Sequence, residues 1–170
     1  LDLYPPVNGE TRGTGFGVHS EAIFVPTNET FFTGRIDHRI SDRDSIFGRY
    51  TFDDAESYSI QNVAYFRTLN ESRQQYLTLV ASHIFGPHML ASGRFGYTRP
   101  SDGSTTLSLL DIPRSLYFYP EAPKFGQIVI PGLSTFGPTS NIPRADNMDS
   151  FQFGGQLLVQ RGPHALKFGA

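Results

Sequence analysis

The 170-residue sequence predicts an all-β fold, built as an antiparallel up-and-down meander. Apolar and polar side chains alternate in several runs of roughly ten residues, which is the two-residue period of a strand. The 17 Gly and 12 Pro residues indicate plentiful turns and irregular loops between those runs. Few segments show the 3.6-residue apolar period of a helix, so the pattern disfavours a helical protein.

The first predicted hairpin consists of strands near residues 29–40 and 46–55, joined by the polar sequence SDRDS. Alternation divides each strand into an apolar and a polar face. The apolar faces carry Phe32, Gly34, Ile36, His38 and Ile40, and Ile46, Gly48, Tyr50 and Phe52; the polar faces carry Thr33, Arg35, Asp37 and Arg39, and Phe47, Arg49, Thr51 and Asp53. Pairing Ile40 with Ile46 would place Ile36 beside Tyr50 and Asp37 beside Arg49, and such cross-strand pairs stabilise a hairpin.

Two further hairpins are predicted, with strands near 73–85 and 89–99 and near 149–161 and 165–170, and each contains a Gly-Pro-His turn. In the second hairpin, a two-residue Gly-Pro turn would pair Tyr76 with Tyr97, whereas a three-residue turn would pair Leu77 with Tyr97. Both registers stay open because residues 73–85 are apolar on both faces. In the third hairpin, one face carries the apolar and small residues Phe151, Phe153, Gly155, Leu157 and Val159.

Loops separate the hairpins. Residues 1–28 are predicted to be an irregular loop, residues 56–72 a second loop, and residues 100–148 a loop too long for an ordinary connection in a compact soluble domain. Its prolines would break any long helix. Short turns that alternate with long loops are typical of an outer-membrane barrel, which has short periplasmic turns and long extracellular loops.

The aromatic residues of the strands support a membrane location. They lie at the long-loop ends of the strands, which puts them at one height: Phe31, Phe32, Tyr50, Phe52, Tyr76, Phe95, Tyr97, Phe151 and Phe153. Rings at one height form the aromatic girdle of a membrane interface. Six strands are too few to close a membrane barrel, so residues 29–170 are interpreted as an open fragment of the wall of a large one.

Composition removes several other classes of function. The chain has 14 basic and 16 acidic residues, and its net charge of −2 gives no reason to expect a nucleic-acid partner. It has no Cys, and no run of about 18 apolar residues that would form a transmembrane helix. The five His residues show no pair at metal-ligand spacing, and no G-x-S-x-G nucleophile motif occurs. We therefore predict no enzyme, no cofactor and no metal site.

Two groups of residues are candidates for function. Tyr117, Tyr119 and Phe125 lie in the long, proline-stiffened loop, where aromatic side chains can contact a small ligand of unknown identity. The rings could equally serve only to pack the loop onto its neighbours. The polar strand faces carry charges that suit a wide, water-filled lumen, namely Arg35, Asp37, Arg49 and Arg94.

Several phrases of the sequence resemble the TonB-dependent outer-membrane receptors, in particular the Oar-like group with a carboxypeptidase-regulatory-like domain at the N-terminus. The phrases cover the three hairpins: Gly34–His38 with Ser41–Asp44 and Phe47–Tyr50, then Arg94–Arg99, then Arg161–Gly169. The resemblance implies a 22-stranded barrel with an N-terminal plug, driven by TonB and importing a scarce substrate such as a metal chelate, oligosaccharide or peptide.

On this interpretation, the partners are outer-membrane lipid, the rest of the parent barrel and its plug, TonB through that plug, and a small ligand. The sequence shows no plug, no TonB box and no closing strand, and it begins at Leu1 and stops in mid-pattern at Ala170, so we interpret it as a fragment. The alternative is a soluble β-sandwich that binds carbohydrate or mediates adhesion. Such a sandwich would bury Phe52, Phe95 and Phe153 together beneath a second layer.

Overall fold

A computed structural model describes residues 3–13 and 15–170. Within those residues the chain is all-β apart from one short 3-10 turn, Arg114–Leu116. The strands are β1 (Thr11–Arg12), β2 (Phe16–Gly17), β3 (Thr27–Arg39), β4 (Asp44–Ile60), β5 (Phe66–Gly86), β6 (Met89–Ser108), β7 (Arg144–Asn147), β8 (Ser150–Arg161) and β9 (His164–Gly169). The predicted fold class is confirmed.

The strands form an open antiparallel meander in the order β3-β4-β5-β6-β8-β9, and β7 also pairs with β6. β1 and β2 form a separate two-stranded pair. The chain divides into two compact units. We call Glu29–Ala55, Ser72–Asp102 and Asp146–Ala170 the sheet unit, and Leu1–Asn28, Glu56–Glu71 and Gly103–Ala145 the loop unit.

Three strands are longer than expected. β4 and β5 extend into residues 56–72, where a loop was expected, and β6 includes residues 100–108. Polar side chains link these extensions: Asn70 Nδ2 donates to Ser59 Oγ at 3.2 Å, and Ser104 Oγ donates to Asn70 Oδ1 at 3.0 Å. Because such strands carry no alternating apolar face, the sequence pattern did not reveal them.

The first hairpin has a register different from the predicted one. Ile40 N donates to Asp44 O at 2.9 Å, which closes a shorter turn, so the pairing of Ile40 with Ile46 is wrong. Thr33 Oγ1 lies 3.0 Å from Thr51 Oγ1 in the observed alignment. The difference is a shift by two residues, and such a shift keeps every side chain on its predicted face.

The turn of this hairpin is held by Ser41. Its Oγ accepts hydrogen bonds from the backbone N–H groups of Arg43 and Asp44, at 3.1 and 3.0 Å, and donates to the Asp44 carboxylate at 2.7 Å. A Ser side chain that binds the backbone two and three residues on is a common turn device. It stabilises the tighter turn and thereby the shifted register.

The two Gly-Pro-His sequences form different turns. β5 ends at Gly86 and β6 begins at Met89, so Pro87 and His88 form the connection. Both expected turns, the two-residue and the three-residue one, began at Gly86 and are wrong. The second connection consists of Gly162 and Pro163, because β8 ends at Arg161 and β9 begins at His164. Gly162 has a φ of 58°, a conformation that favours glycine.

β6 and β8 pair in a register that separates apolar from polar residues. One face carries the pairs Met89 with Val159, Ala91 with Leu157, Phe95 with Phe153 and Tyr97 with Phe151. The other face carries Ser92 with Gln156, Arg94 with Gly154 and Thr98 with Ser150, and one apolar pair near the turn, Leu90 with Leu158. β9 continues the apolar face, since Phe168 pairs with Leu157 and Leu166 with Val159. These three strands therefore have an apolar face and a mostly polar face.

The buried core lies in the loop unit. Its apolar members are Val63, Phe66, Ile112, Phe125 and Phe136. Within the described residues of the sheet unit no side chain is buried, and Phe153 is 79% exposed. A soluble β-sandwich would bury this face against a second sheet, so the exposure of Phe153 argues against that alternative.

Candidate functional site

The long loop and the neighbouring strand ends have an aromatic core of their own. The ring of Phe136 lies 5.1 Å from the ring of Phe66 and 5.8 Å from that of Phe125, both edge-on, and 5.2 Å from the ring of Tyr4. Two backbone hydrogen bonds between Phe136 and Ile128, at 2.7 and 3.0 Å, fix the segment that carries Phe136. The loop unit is thus a packed structure with edge-to-face ring contacts, which aromatic pairs prefer.

A cavity of about 170 Å³ lies against this core. Its aromatic wall is formed by Phe66, Tyr117 and Phe125, and its polar wall by Thr106, Ser108, Asp111 and Lys124. These residues come from β5, from the end of β6 and from two parts of the following loop. A mostly apolar concavity with a few polar groups is the usual form of a small-molecule site.

The polar groups of the cavity are incompletely paired. Lys124 Nζ donates to the backbone carbonyl of Thr106 at 3.4 Å. The Thr106 side chain is buried, and its Oγ1 has no hydrogen-bond partner among the described residues. Across residues 3–13 and 15–170, the Asp111 carboxylate likewise makes no side-chain hydrogen bond and no ion pair. The site holds one positive charge, one negative charge and one unsatisfied hydroxyl.

The structure brings together two of the three loop aromatics singled out from the sequence. Tyr117 and Phe125 both line the cavity, and their ring centroids are 5.7 Å apart. Phe125 is also a member of the buried core, so it has the packing role that was the alternative to ligand contact. Tyr119 is 73% exposed and does not line this cavity. Ligand contact by these residues stays a prediction.

The segment around Tyr117 is held by Arg114. The guanidinium lies 5.0 Å from the Tyr117 ring centroid, and Arg114 also donates to the backbone carbonyls of Pro120 and Ala122, at 3.1 and 2.5 Å. A cation over an aromatic face is attracted by the negative face of the ring. Arg114 therefore positions the chain that passes from Tyr117 toward Lys124.

The charged residues predicted to face the lumen lie on the polar face of the sheet unit. Arg35 binds Asp37 through two 2.7 Å hydrogen bonds and lies 4.1 Å above the ring of Phe47. Arg49 donates to Thr33 Oγ1 at 3.4 Å, whereas Asp37 pairs with Arg35. The predicted position of Arg49 beside Asp37 is therefore wrong. Arg94 lies opposite Gly154, which leaves room beside its long side chain.

Aromatic rings form two clusters on the apolar face of the sheet unit. Phe32 contacts Tyr50 and Phe52, with centroids 5.7 and 5.6 Å apart, and Phe151 contacts Phe95 and Tyr97, with centroids 6.5 and 5.1 Å apart.

Two of the rings predicted for the girdle do not share this face. Phe31 precedes Phe32 and so faces the other way. Tyr50 Oη donates to Gln75 Oε1 at 2.9 Å, so Gln75, and not the adjacent Tyr76, shares the face of Tyr50.

A second cavity, of about 270 Å³, lies among the N-terminal segment, residues 62–64 and residues 133–134. Tyr4 and His19 line it, and both hydrogen-bond to backbone: Tyr4 Oη donates to Ser134 O at 3.1 Å, and His19 Nδ1 lies 2.7 Å from Pro6 O. These bonds give both residues a role in holding the N-terminal segment.

Three polar residues of the cavity were not predicted from the sequence: Thr106, Asp111 and Lys124. They are separated along the chain and share no motif, and Thr106 lies in the polar end of β6, which carried no strand signal. A weak hint was the position of Lys124 between Pro123 and Phe125, in the loop already suspected of binding. In the described residues, no group of three or more His, Asp or Glu side chains is arranged to hold a metal ion.

The described part of the chain contains no helix long and apolar enough to cross a membrane. A family model described as an outer membrane beta barrel domain matches residues 1–170, whereas no curated protein and no solved structure matches the chain. The match confirms the predicted location in the bacterial outer membrane. With a family match over its whole length and an open antiparallel sheet that exposes an aromatic face, the chain belongs to the outer membrane β-barrel domain family.

Proposed function

We propose that the chain is part of the barrel wall of a TonB-dependent receptor that imports a scarce substrate and performs no catalysis. The observation that carries this proposal is the register of β6 and β8, which gives one face of apolar and aromatic pairs and another face that is polar apart from Leu90 and Leu158. Such a two-faced wall separates hydrocarbon from water, as the wall of a large barrel must. The hairpin phrases that resemble TonB-dependent receptors support the more specific assignment.

The apolar face is the surface for outer-membrane lipid. Phe151, Phe153 and Phe168 are each more than half exposed, which would be an aggregation hazard in water but is favourable in a bilayer. Tyr50 and Tyr97 each present a hydroxyl bound to a polar neighbour, Gln75 and Asp149 respectively. Amphipathic rings of this kind suit the boundary between hydrocarbon and headgroups.

The polar face is the surface for the lumen and for the plug. Arg35, Asp37, Arg49 and Arg94 would contact water or polar groups of a plug domain, and the Arg35–Asp37 pair is about half exposed. An exposed ion pair of this kind contributes little to stability, so its value would lie in contacts with the plug. TonB would act through that plug and not through the wall.

The experiment uses the full protein that carries this sequence. Binding to the purified periplasmic domain of TonB is measured together with ion conductance in planar bilayers. A TonB-dependent receptor should bind this domain saturably and should conduct few ions, because a plug fills the lumen. Absence of TonB binding combined with a steady open conductance would identify a passive pore and overturn the proposal.

A further inference from the structure

We propose that the cavity lined by Thr106, Asp111 and Lys124 binds a small zwitterion, an α-amino acid with an apolar side chain. This inference deepens the proposed receptor function, on which it rests, by naming the substrate class.

The two charges identify the ligand class. Asp111 and Lys124 line the same cavity, yet no ion pair joins them. Asp111 is exposed and Lys124 is half-buried, so a ligand can reach both charges, and hydrogen bonds between ionised groups are stronger than those between neutral ones. An α-ammonium group on Asp111 and an α-carboxylate on Lys124 would satisfy both, whereas a neutral sugar would leave each charge without an opposite one.

Thr106 adds a third polar contact. Its backbone carbonyl accepts a hydrogen bond from Lys124 Nζ, which holds the Lys124 side chain at this wall of the cavity. Its side chain is 8% exposed, and its hydroxyl has no partner in the described structure. A buried hydroxyl without a partner costs free energy, and a bound carboxylate or ammonium group could supply the missing hydrogen bond.

The size of the cavity limits the ligand. Its volume of about 170 Å³ is well below the roughly 300 Å³ at which pockets for drug-sized ligands begin. The cavity therefore suits a group about the size of one amino acid, and the rings of Phe66 and Tyr117 would contact the side chain of that amino acid.

The test measures binding to the full protein in detergent by equilibrium dialysis. The probes are L-alanine, L-valine, L-leucine and L-phenylalanine, each compared with its N-acetyl derivative and its methyl ester. At least one free amino acid should bind saturably, and loss of either charged group should weaken binding by about tenfold or more. Equal binding of the derivatives, or no saturable binding of any of the four, would overturn the proposal.

Substitutions assign the two ends of the ligand. Asp111→Asn should abolish the preference for the free amino acid over its N-acetyl derivative. Lys124→Met should abolish the preference for the free amino acid over its methyl ester. The matched controls are Asp102→Asn and Lys167→Met, which make the same chemical changes outside the cavity and should keep both preferences. Unchanged preferences in the two cavity variants would place any amino-acid binding elsewhere and so contradict the assignment.

The outcomes distinguish this inference from the receptor assignment. Ligand binding is measured without TonB, and TonB binding is measured without amino acids. A protein that binds the TonB domain but none of the probes keeps the receptor function and loses the zwitterion site. The protein could instead bind a free amino acid through Asp111 and Lys124, conduct ions and not bind the TonB domain. That result would support the zwitterion site and contradict the receptor function.

Discussion

Phe95 lies directly opposite Phe153 in the β6–β8 pairing, with ring centroids 5.3 Å apart, although 79% of the surface of Phe153 is exposed. Cross-strand aromatic pairs stabilise a sheet. A pair that is packed on one side and open on the other belongs at a boundary with lipid, where the open side meets hydrocarbon or headgroups and not water. The exposed face of this pair is therefore part of the function of the sheet.

The Phe95–Phe153 pair should show measurable coupling. In a double-mutant cycle of Phe95→Leu and Phe153→Leu, we expect a coupling energy of about 0.5–1.5 kcal/mol. The measurement is urea unfolding of the full protein in lipid vesicles. Phe95→Leu combined with Phe168→Leu serves as the control, because Phe168 pairs with Leu157, and these effects should add to within about 0.5 kcal/mol. Equal coupling in the two cycles would argue against direct ring contact.

The two faces of β8 should respond oppositely to charge. Leu157 lies on the apolar face between Ala91 and Phe168, and the adjacent Gln156 lies on the polar face opposite Ser92. Leu157→Arg should lower the free energy of unfolding in lipid vesicles by about 2–4 kcal/mol, as expected for Arg on the lipid face near the bilayer midplane. Gln156→Arg, one residue away, should change it little. A larger loss from Gln156→Arg would mean that the faces are inverted.

The turn of the first hairpin should make the stability of the protein depend on acid pH. His83 Nδ1 lies 2.5 Å from the Asp44 carboxylate, and this hydrogen bond, followed by that from Ser41, holds the pKa of Asp44 below its usual range. A lowered folded-state pKa contributes stability that is present above the unfolded pKa of about 3.9. That stability is lost as the pH falls through the folded pKa.

Urea midpoints measured from about pH 6 down to about pH 2 should therefore fall less steeply in Asp44→Asn than in the unchanged protein. Asp42→Asn is the control within the same turn, since Asp42 is almost fully exposed and pairs with Arg39. It should keep the pH profile of the unchanged protein. Identical profiles for all three proteins would show that the Asp44–His83 contact does not contribute.

Removal of the buried hydroxyl of Thr106 should not lower the free energy of unfolding of the protein. Thr106→Val has nearly the same shape and removes a polar atom that has no partner in the described structure. Replacing such a group should leave the free energy of unfolding unchanged or raise it by up to about 1 kcal/mol in the absence of ligand. A drop of more than about 1 kcal/mol, measured by urea unfolding, would show that the hydroxyl is satisfied in the folded protein.

Sequence reasoning captured the faces of the sheet but not its registers. The alternation of Phe32 with Thr33 identifies the two faces of β3, and contacts with Phe52 and Thr51 across the hairpin match it. A slip by two residues preserves this alternation, so apolar periodicity alone could not exclude the pairing of Ile40 with Ile46. The Ser41 hydrogen bonds that decide the register depend on three-dimensional turn geometry.

The site was harder to predict for a related reason. Phe125 and Tyr117 stand out as aromatic residues in a long loop, but nothing in the sequence distinguishes their surroundings from those of the exposed Tyr119. Thr106 and Lys124 meet only because the loop folds back on itself. A contact across such a distance in an irregular segment has no periodic signal, since periodicity reports only on neighbours along a regular element.

The loop core should be necessary for the cavity. Phe136 is 2% exposed and contacts the rings of Tyr4, Phe66 and Phe125, so Phe136→Ala should leave a cavity and cost about 3–5 kcal/mol in the stability of the loop unit. Limited proteolysis of the full protein should then cut within Gly103–Ala145 much faster than before, because cleavage follows the population of locally opened states. Tyr119→Ala is the matched control, since Tyr119 is 73% exposed and its removal should leave the cleavage rate nearly unchanged. If both variants were cut at the same rate as the unchanged protein, the aromatic cluster could not be what holds Tyr117 and Lys124 at the cavity.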